Sequence, residues 1–352
     1  MLDTYYQERN IKNLRKIERL LSELPSFVRE YFLGIENQTS SLTRLNYAYD
    51  LRIFFDFLSK KIYKKAKNPT EIDLNDLERV TGTQIELFLN YLNDYKFNGV
   101  VTSCNERAKA RKLSTVRAMY KYFFMKNEIN VDNAAKVSMP KLHDKEIIRL
   151  EVNEVSALLN CADSGEGMNN HQKAFHEKTK VRDVAILTLF LGTGIRISEL
   201  VGLNNEDINF SENSFKITRK GGNQSILYFS DEVSEALARY IAFKENDKNV
   251  PADEHALFLS LKMRRISLRA VENLVKKYST IVTPLKKISP HKLRSTYGTQ
   301  LYRETQDIYV VADVLGHKDV NTTKKHYAAI SEDIRRSVAG KVKLREDNKD
   351  LD

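Results

Sequence analysis

The sequence predicts a mainly α protein with a small β-sheet, arranged as a helical N-terminal bundle followed by a mixed α/β domain. Three observations lead there. Helical periodicity runs through the first 140 residues, and nothing there alternates convincingly as a strand. Residues 138–146 contain few core residues, a proline and mixed charges, which suits an extended connector. Beyond it, an alternating segment around Gly221-Gly222 interrupts the helices. At 352 residues the chain is long for one core, and with 41% hydrophobic residues it can build two.

Residues 11–32 read as one or two helices broken near Pro25. Residues 41–59 place Leu42, Leu45, Tyr49, Ile53 and Phe57 on one helical face. Residues 83–92 and 105–126 supply two more helices of an all-helical bundle. Between them Lys60, Lys61, Lys64, Lys65 and Lys67 form a cluster that reads as a solvated loop, with phosphate contact as the sharper alternative. These patterns divide the chain into a helical extension (1–36), a bundle (37–140), a linker (141–147), a second domain (148–343) and a tail of disordered composition (344–352).

In the second domain, residues 151–160 and 181–191 read as helices, the latter stopped by Gly192 and Gly194. Residues 195–203 start a new helix with Arg196 in its first turn. Residues 214–219 and 225–229 form a β-hairpin across a glycine turn. Helices follow at 231–244, 267–278, 290–303 and 307–315, with a short strand at 256–259. Ser289 is placed to cap the helix that Pro290 opens. Gly316 ends the last of these helices in left-handed backbone and exposes His317 at the corner. Asn321 or Thr322 can cap a short helix bearing Tyr327, and Ile334, Val338 and Val342 share a face over residues 331–342.

The net charge of +10 and pI near 9.2 favour polyanionic partners, nucleic acid first. A membrane span is disfavoured: the longest apolar run, residues 184–191, falls far short of the roughly 20 residues needed to cross a bilayer. The N-terminus resembles no secretory signal. Cys104 and Cys161 show neither pairing pattern nor zinc spacing, so reduced thiols in a cytoplasmic protein are expected. No Walker-type loop and no metal-ligand spacing is present in the sequence, and no cofactor or metal is expected.

Six residues carry the chemistry: Arg196, Lys220, His291, Arg294, His317 and Tyr327. Their settings distinguish them from the many other Lys, Arg, His and Tyr of the chain. These are Gly-Thr-Gly-Ile-Arg-Ile-Ser-Glu-Leu around Arg196, Pro-His-Lys-Leu-Arg ending at Arg294, Leu-Gly-His ending at His317, and Thr-Thr-Lys-Lys-His-Tyr ending at Tyr327. Breaking a phosphodiester without a metal requires stabilising negative charge on the non-bridging oxygens and protonating the departing oxygen. Arg196 and Arg294 suit the first need, since a planar guanidinium stays charged and binds two oxygens side by side. His291, three residues before Arg294, can shuttle a proton or bond the phosphate, and His317 can donate to a non-bridging oxygen. Glu199, one turn after Arg196, reads as a structural partner for a nearby backbone group or arginine.

The set resembles the tyrosine site-specific recombinases (integrases), over most of the chain and with a Xer-like length. That resemblance implies a SAM-like core-binding bundle and a catalytic domain of the tyrosine recombinase type. It makes Lys220 the general acid and Tyr327 the nucleophile, giving a 3′-phosphotyrosine link and a free 5′ hydroxyl that a second strand reverses. It further implies a double-stranded DNA target gripped by Ser41, Thr43, Arg44 and Tyr47 at one helix start, and by Arg107, Lys109, Arg111, Lys112, Ser114 and Arg117 on another helix. It implies a homotetramer on two duplexes, coupled by passing the 331–342 helix to a neighbour; packing of that helix on its own domain stays open. Three departures stand out. The turn reads Arg219-Lys220-Gly221 where the family has glycine-lysine-glycine, many members have one residue fewer between histidine and tyrosine, and His326 precedes Tyr327 where they have a histidine after it. Chromosome dimer resolution and mobile-element integration both fit. A type IB topoisomerase and a non-catalytic DNA-binding protein are the competing functions.

Overall fold

A computed structural model describes residues 4–143, 148–219, 222–317 and 319–320. Residues 144–147 of the expected linker, Lys220, Tyr327, the 331–342 segment and the tail lie outside the described residues. The chain divides into two compact units, Met1–Lys145 and Glu146–Asp352.

The N-terminal unit comprises α1 (Thr4–Leu21), α2 (Ser26–Gly34), α3 (Ser41–Phe57), α4 (Leu74–Arg79), α5 (Gly82–Tyr91), a ribbon of β1 (Tyr95–Phe97) and β2 (Val100–Thr102), and α6 (Glu106–Met125). Pro25 stands at the N-cap of α2, where its missing N–H is harmless. Ser40 caps α3 by accepting from Thr43 N at 3.2 Å, and Asp73 caps α4 by accepting from Asp76 N at 2.8 Å. One core joins Leu20, Leu21 and Val28 of α1 and α2 to Leu51, Phe54 and Phe55 of α3, Phe88 of α5 and Met119 and Phe123 of α6.

Two features of this unit differ from expectation. In α3 the buried face runs through Leu45, Ala48, Leu51, Phe54 and Phe55, whereas Leu42 and Tyr49 are 49% and 43% exposed. The helix packs against α1 and α6, so the buried arc is wider than, and rotated from, a single stripe. The bundle is also not purely helical. Asn98 and Gly99, with φ of 48° and 83°, turn β1 into β2 with Tyr95 opposite Thr102. Asn-Gly is a strong hairpin signal, but three-residue strands are too short to alternate visibly.

A buried carboxylate ties α3 to α6. Asp50 is 1% exposed and accepts from Lys112 at 2.9 Å, Arg111 at 2.6 Å and Thr115 Oγ1 at 3.2 Å.

The C-terminal unit is built on α8 (Asn170–Thr193), against which α7 (Val152–Ser164), α10 (Asp231–Glu245) and α12 (Pro290–Thr305) pack. Residues 185–190 of α8 are all buried, as expected of a helix enclosed on every side. α9 (Ile197–Gly202), α11 (Leu268–Val282) and α13 (Ile308–Leu315) complete the helices. The sheet is antiparallel in order β3 (Ile208–Asn209), β4 (Ser214–Thr218) and β5 (Gln224–Tyr228). Asp183, 1% exposed, accepts from Tyr278 Oη at 2.9 Å and Lys277 at 3.0 Å and so holds α8 to α11. Burial and that carboxylate push the Tyr278 phenol far above its usual pKa.

Several boundaries move. Asn169 accepts from Gln172 N at 2.9 Å, so α8 starts well before residue 181. Gly192 lies inside α8, with the Val233 side chain 2.5 Å from where a Cβ would sit, and only Gly194, at φ 62°, ends it. Arg196 is the N-cap of α9 and not a residue of its first turn. Ser289 occupies the N-cap of α12 without a side-chain cap bond. Residues 256–259 make isolated bridges to Asn204 and Arg265 in place of a strand. The buried Lys244 binds this segment, donating to Ala256 O at 3.1 Å and Leu257 O at 2.9 Å. Burial lowers the Lys244 pKa to about 8, which leaves it an ammonium at neutral pH.

Asp50→Ala strands two cations, one of them buried, and is expected to lower stability by about 3 kcal/mol. The urea midpoint measures this, and an unchanged midpoint would show that Lys112 finds another acceptor.

Candidate active site

The site assembles around the C-terminal end of α13. Gly316 is left-handed at φ 59°, and its N–H donates to Asp313 O at 2.8 Å while His317 N donates to Ala312 O at 2.9 Å. This Schellman arrangement satisfies carbonyls 312 and 313 and turns the chain sharply at His317. The next three carbonyls each receive a guanidinium. Arg219 Nη2 donates to Val314 O at 3.5 Å, Arg294 Nη2 to Leu315 O, and Arg196 Nη2 to Gly316 O at 2.8 Å. Last-turn carbonyls carry the negative end of the helix dipole, so cations gather there favourably.

Arg196 and Arg294 are each held from a second side. Arg196 Nη1 donates to Glu199 Oε1 at 2.8 Å, and the Arg196 backbone N–H donates to Glu199 Oε2 at 2.9 Å. Glu199, 4% exposed, thus caps α9 and orients the arginine. Arg294, 6% exposed, donates through Nη1 to Gly194 O, the residue that ends α8. Gly194 permits this approach: a Cβ there would meet Tyr297 Cδ1 at 2.5 Å and Leu315 Cδ2 at 2.9 Å. The Gly-Thr-Gly motif therefore aims Arg196 and supplies the carbonyl that orients Arg294. Burial raises the Tyr297 pKa, and its ring packs against Gly194.

Arg196, Arg294 and the Gly316-His317 corner are thus brought together. His317 is half-buried, and His291 is exposed one turn before Arg294 on α12. Lys220 and Tyr327 lie outside the described residues. Arg219, which in the sequence stands only as a cation next to Lys220, lies with its guanidinium directly against Gly316, and its Nε is buried without a hydrogen-bond partner among the described residues. The available signal was its place beside Lys220, where the family has glycine.

Among the expected DNA contacts, four are turned inward. Ser41, 8% exposed, donates to Asn10 Oδ1 at 2.8 Å and accepts from Asn13 Nδ2 at 3.1 Å. Arg44, 7% exposed, pairs with Glu36 at 2.6 Å. Lys112, 5% exposed, pairs with Asp50. Arg117 donates to the carbonyls of Ala134, Ala135 and Val137 and ties α6 to the segment after it. The three cations stabilise the bundle because the buried Asp50, the Glu36 carboxylate and loop carbonyls claim them. Arg107 and Arg111 are exposed on one face of α6, and Thr43 and Tyr47 are half-buried on α3.

No group of metal-ligating residues occurs among the described residues, and none of their helices is long and apolar enough to cross a membrane.

Gly316→Ala places a Cβ in left-handed backbone and against the Arg219 guanidinium. Strand cleavage in a timed reaction is expected to fall by about 5- to 30-fold, the equivalent of a backbone cost of roughly 1–2 kcal/mol borne by the site. Glu199→Gln keeps an acceptor for the α9 cap but loses the charge that orients Arg196. Single-turnover cleavage should slow by about tenfold while DNA affinity stays within a few-fold, and an equal loss in both would point to misfolding.

Residues 149–333 match the Phage integrase family, and residues 28–127 match the phage integrase N-terminal SAM-like domain. The chain is 32% identical over 317 residues to the tyrosine recombinase XerC of Syntrophus aciditrophicus, covering 88% of this chain and 94% of that protein. It is 30% identical over 335 residues to the tyrosine recombinase XerS of Streptococcus agalactiae, covering 88% and 93%. The XerH recombinase in its post-cleavage complex with palindromic difH aligns at TM-score 0.67 and 18% identity, covering 93% of this chain and 89% of that one. A lambda integrase dimer on a core site aligns at 0.58 and 17%, covering 84% and 96%. The structural likenesses agree in fold, and the sequence matches establish the kinship: this chain belongs to the phage integrase family and is a Xer-like tyrosine recombinase, an enzyme that cleaves and rejoins DNA.

Proposed function

We propose that Tyr327 attacks a backbone phosphate held by Arg196 and Arg294, with His317 and His291 as hydrogen-bond or proton partners and Lys220 protonating the departing 5′ oxygen. The convergence of guanidinium groups beside His317, on the carbonyls of Val314 and Leu315 at the end of α13 and of Gly316 just after it, carries this reading. Such donors are fixed before substrate arrives, so little reorganisation is needed as charge builds on the phosphate. The tyrosine ester preserves the energy of the broken bond, so a free 5′ hydroxyl can reverse the step without ATP.

Double-stranded DNA is the substrate, as the DNA-bound structural relatives support. Thr43, Tyr47, Arg107 and Arg111 are the contacts we assign to the bundle, the last two extending from one exposed face of α6 toward phosphates. The active assembly is a homotetramer on two duplexes, with the 331–342 segment passed between subunits. Chromosome dimer resolution in the cytoplasm is the setting we favour, since the likeness to XerC and XerS spans nearly the whole of those proteins.

A duplex nicked near the cleavage point traps the covalent adduct. Wild type should give a band that survives denaturant, Tyr327→Phe none, and Arg294→Lys about 100-fold less in a timed reaction. A band with Tyr327→Phe would assign the nucleophile elsewhere. Truncation after Ile330 should leave single-site DNA binding intact and weaken cooperative assembly in a gel-shift titration; unchanged cooperativity would refute the exchange. Adduct mapped to one chromosomal locus supports dimer resolution, and adduct at the ends of a mobile element supports integration.

A further inference from the structure

Phe215, Ile217 and Arg219 are spaced by two along β4 and the residue after it, so they share one face of the strand. Phe215 and Ile217 are 1% and 2% exposed, which makes this the face that β4 buries. Arg219 continues it and lays its guanidinium on Gly316. A Cβ added at Gly316 would collide with Nη1 and Cζ and come within 2.9 Å of Nε. A glycine, the family's residue at this position, would have no side chain to make that contact.

The main chain of the same residue closes the turn that carries Lys220. Arg219 N donates to Asn223 O at 2.7 Å, and Arg219 O accepts from Gly222 N at 3.1 Å, one step beyond the pair of Thr218 with Gln224. One residue therefore ends the hairpin ladder with its backbone and reaches the corner after α13 with its side chain. It grips the glycine whose carbonyl accepts from Arg196 Nη2 at 2.8 Å.

This placement is costly. Arg219 is a third guanidinium beside two others, and its buried Nε has no hydrogen-bond partner among the described residues. Proteins retain such costs where position matters to function. A direct role on the phosphate is disfavoured, because Nε is buried and Nη2 is turned to Val314 O at 3.5 Å.

We infer that Arg219 is a positioning residue for protonation of the leaving group: it fastens the base of the β4–β5 turn to the corner after α13, so that Lys220 acts from a fixed base. The inference rests on the proposed role of Lys220 as general acid and deepens it. In that step the Tyr327 oxygen bonds to phosphorus, and the bond from phosphorus to the 5′ oxygen breaks with its electron pair on that oxygen. The Lys220 ammonium then supplies the proton. A fixed base reduces the freedom the ammonium must lose to reach the oxygen. Sulfur in place of that oxygen removes the need for the proton, because a thiolate is a far weaker base than an alkoxide and leaves unaided.

The test is single-turnover cleavage by the full-length protein of a nicked duplex with either oxygen or sulfur at the bridging 5′ position of the scissile phosphate. Each variant is compared with wild type on the same duplex. Arg219→Ala should cleave the oxygen duplex about tenfold more slowly and the sulfur duplex within about twofold of wild type, with DNA affinity unchanged within a few-fold. Arg219→Lys keeps the charge but not the flat face on Gly316, and should show the same pattern to a smaller degree; it carries the test if the alanine variant does not fold. Arg294→Lys acts on the non-bridging oxygens and should stay slow with both duplexes. Wild-type cleavage of the oxygen duplex by Arg219→Ala overturns the inference. So does a loss that sulfur does not relieve, which would put Arg219 on the phosphate or in the fold. Lys220→Ala separates the two readings. If sulfur relieves its loss but not that of Arg219→Ala, the positioning role alone fails; if sulfur relieves neither, the general-acid assignment fails with it.

Discussion

The C-terminal carbonyls of α13 are the point on which the site depends. A helix leaves its final carbonyls without intrahelical partners, and here the Schellman turn at Gly316 satisfies two of them while Arg219, Arg294 and Arg196 take the three that follow. Three guanidinium groups repel one another in the absence of acceptors. The carbonyl row, the helix dipole, Glu199 and the carbonyl of Gly194 offset that repulsion and set each group's direction. The outcome is a cationic pocket built before substrate arrives, which is what electrostatic stabilisation of a phosphoryl transition state requires.

The same principle, a cation directed by its acceptor, separates structural from recognition residues in the bundle. Asp50 draws Lys112 inward, Glu36 draws Arg44, and carbonyls 134 to 137 draw Arg117. Burying one of these charges is tolerable because its partner is buried or hydrogen-bonded with it. Where a side chain lies on the outer face of a helix, as for Arg107, the charge stays on the surface. Arg111 does both, giving Asp50 a hydrogen bond while half of its side chain faces solvent.

Much of the fold was legible because local rules agreed with the tertiary structure. Pro25 separates α1 from α2, Asp307 and Gly316 bracket α13, and the glycine turn near residue 222 marks the hairpin. Misreadings arose where long-range packing overrode local pattern. The buried face of α3 is set by helices on two sides of it. The 256–259 segment is a short apolar run like that of a buried strand, but it is held by Lys244 and among the described residues makes only two isolated bridges.

The sequence by itself determined the chemistry: which residue types are available, in which local settings, and that paired arginines with histidines and a tyrosine suit metal-free phosphodiester transfer. Those properties are intrinsic to side chains and to short motifs. The tertiary structure decided which cations gather at the end of α13, which stay exposed and which face the core, since that depends on acceptors contributed by distant segments. Gly316 lies 120 positions after Arg196, and Asp50 lies 62 before Lys112. Such distances are closed by folding, and no local periodicity records them.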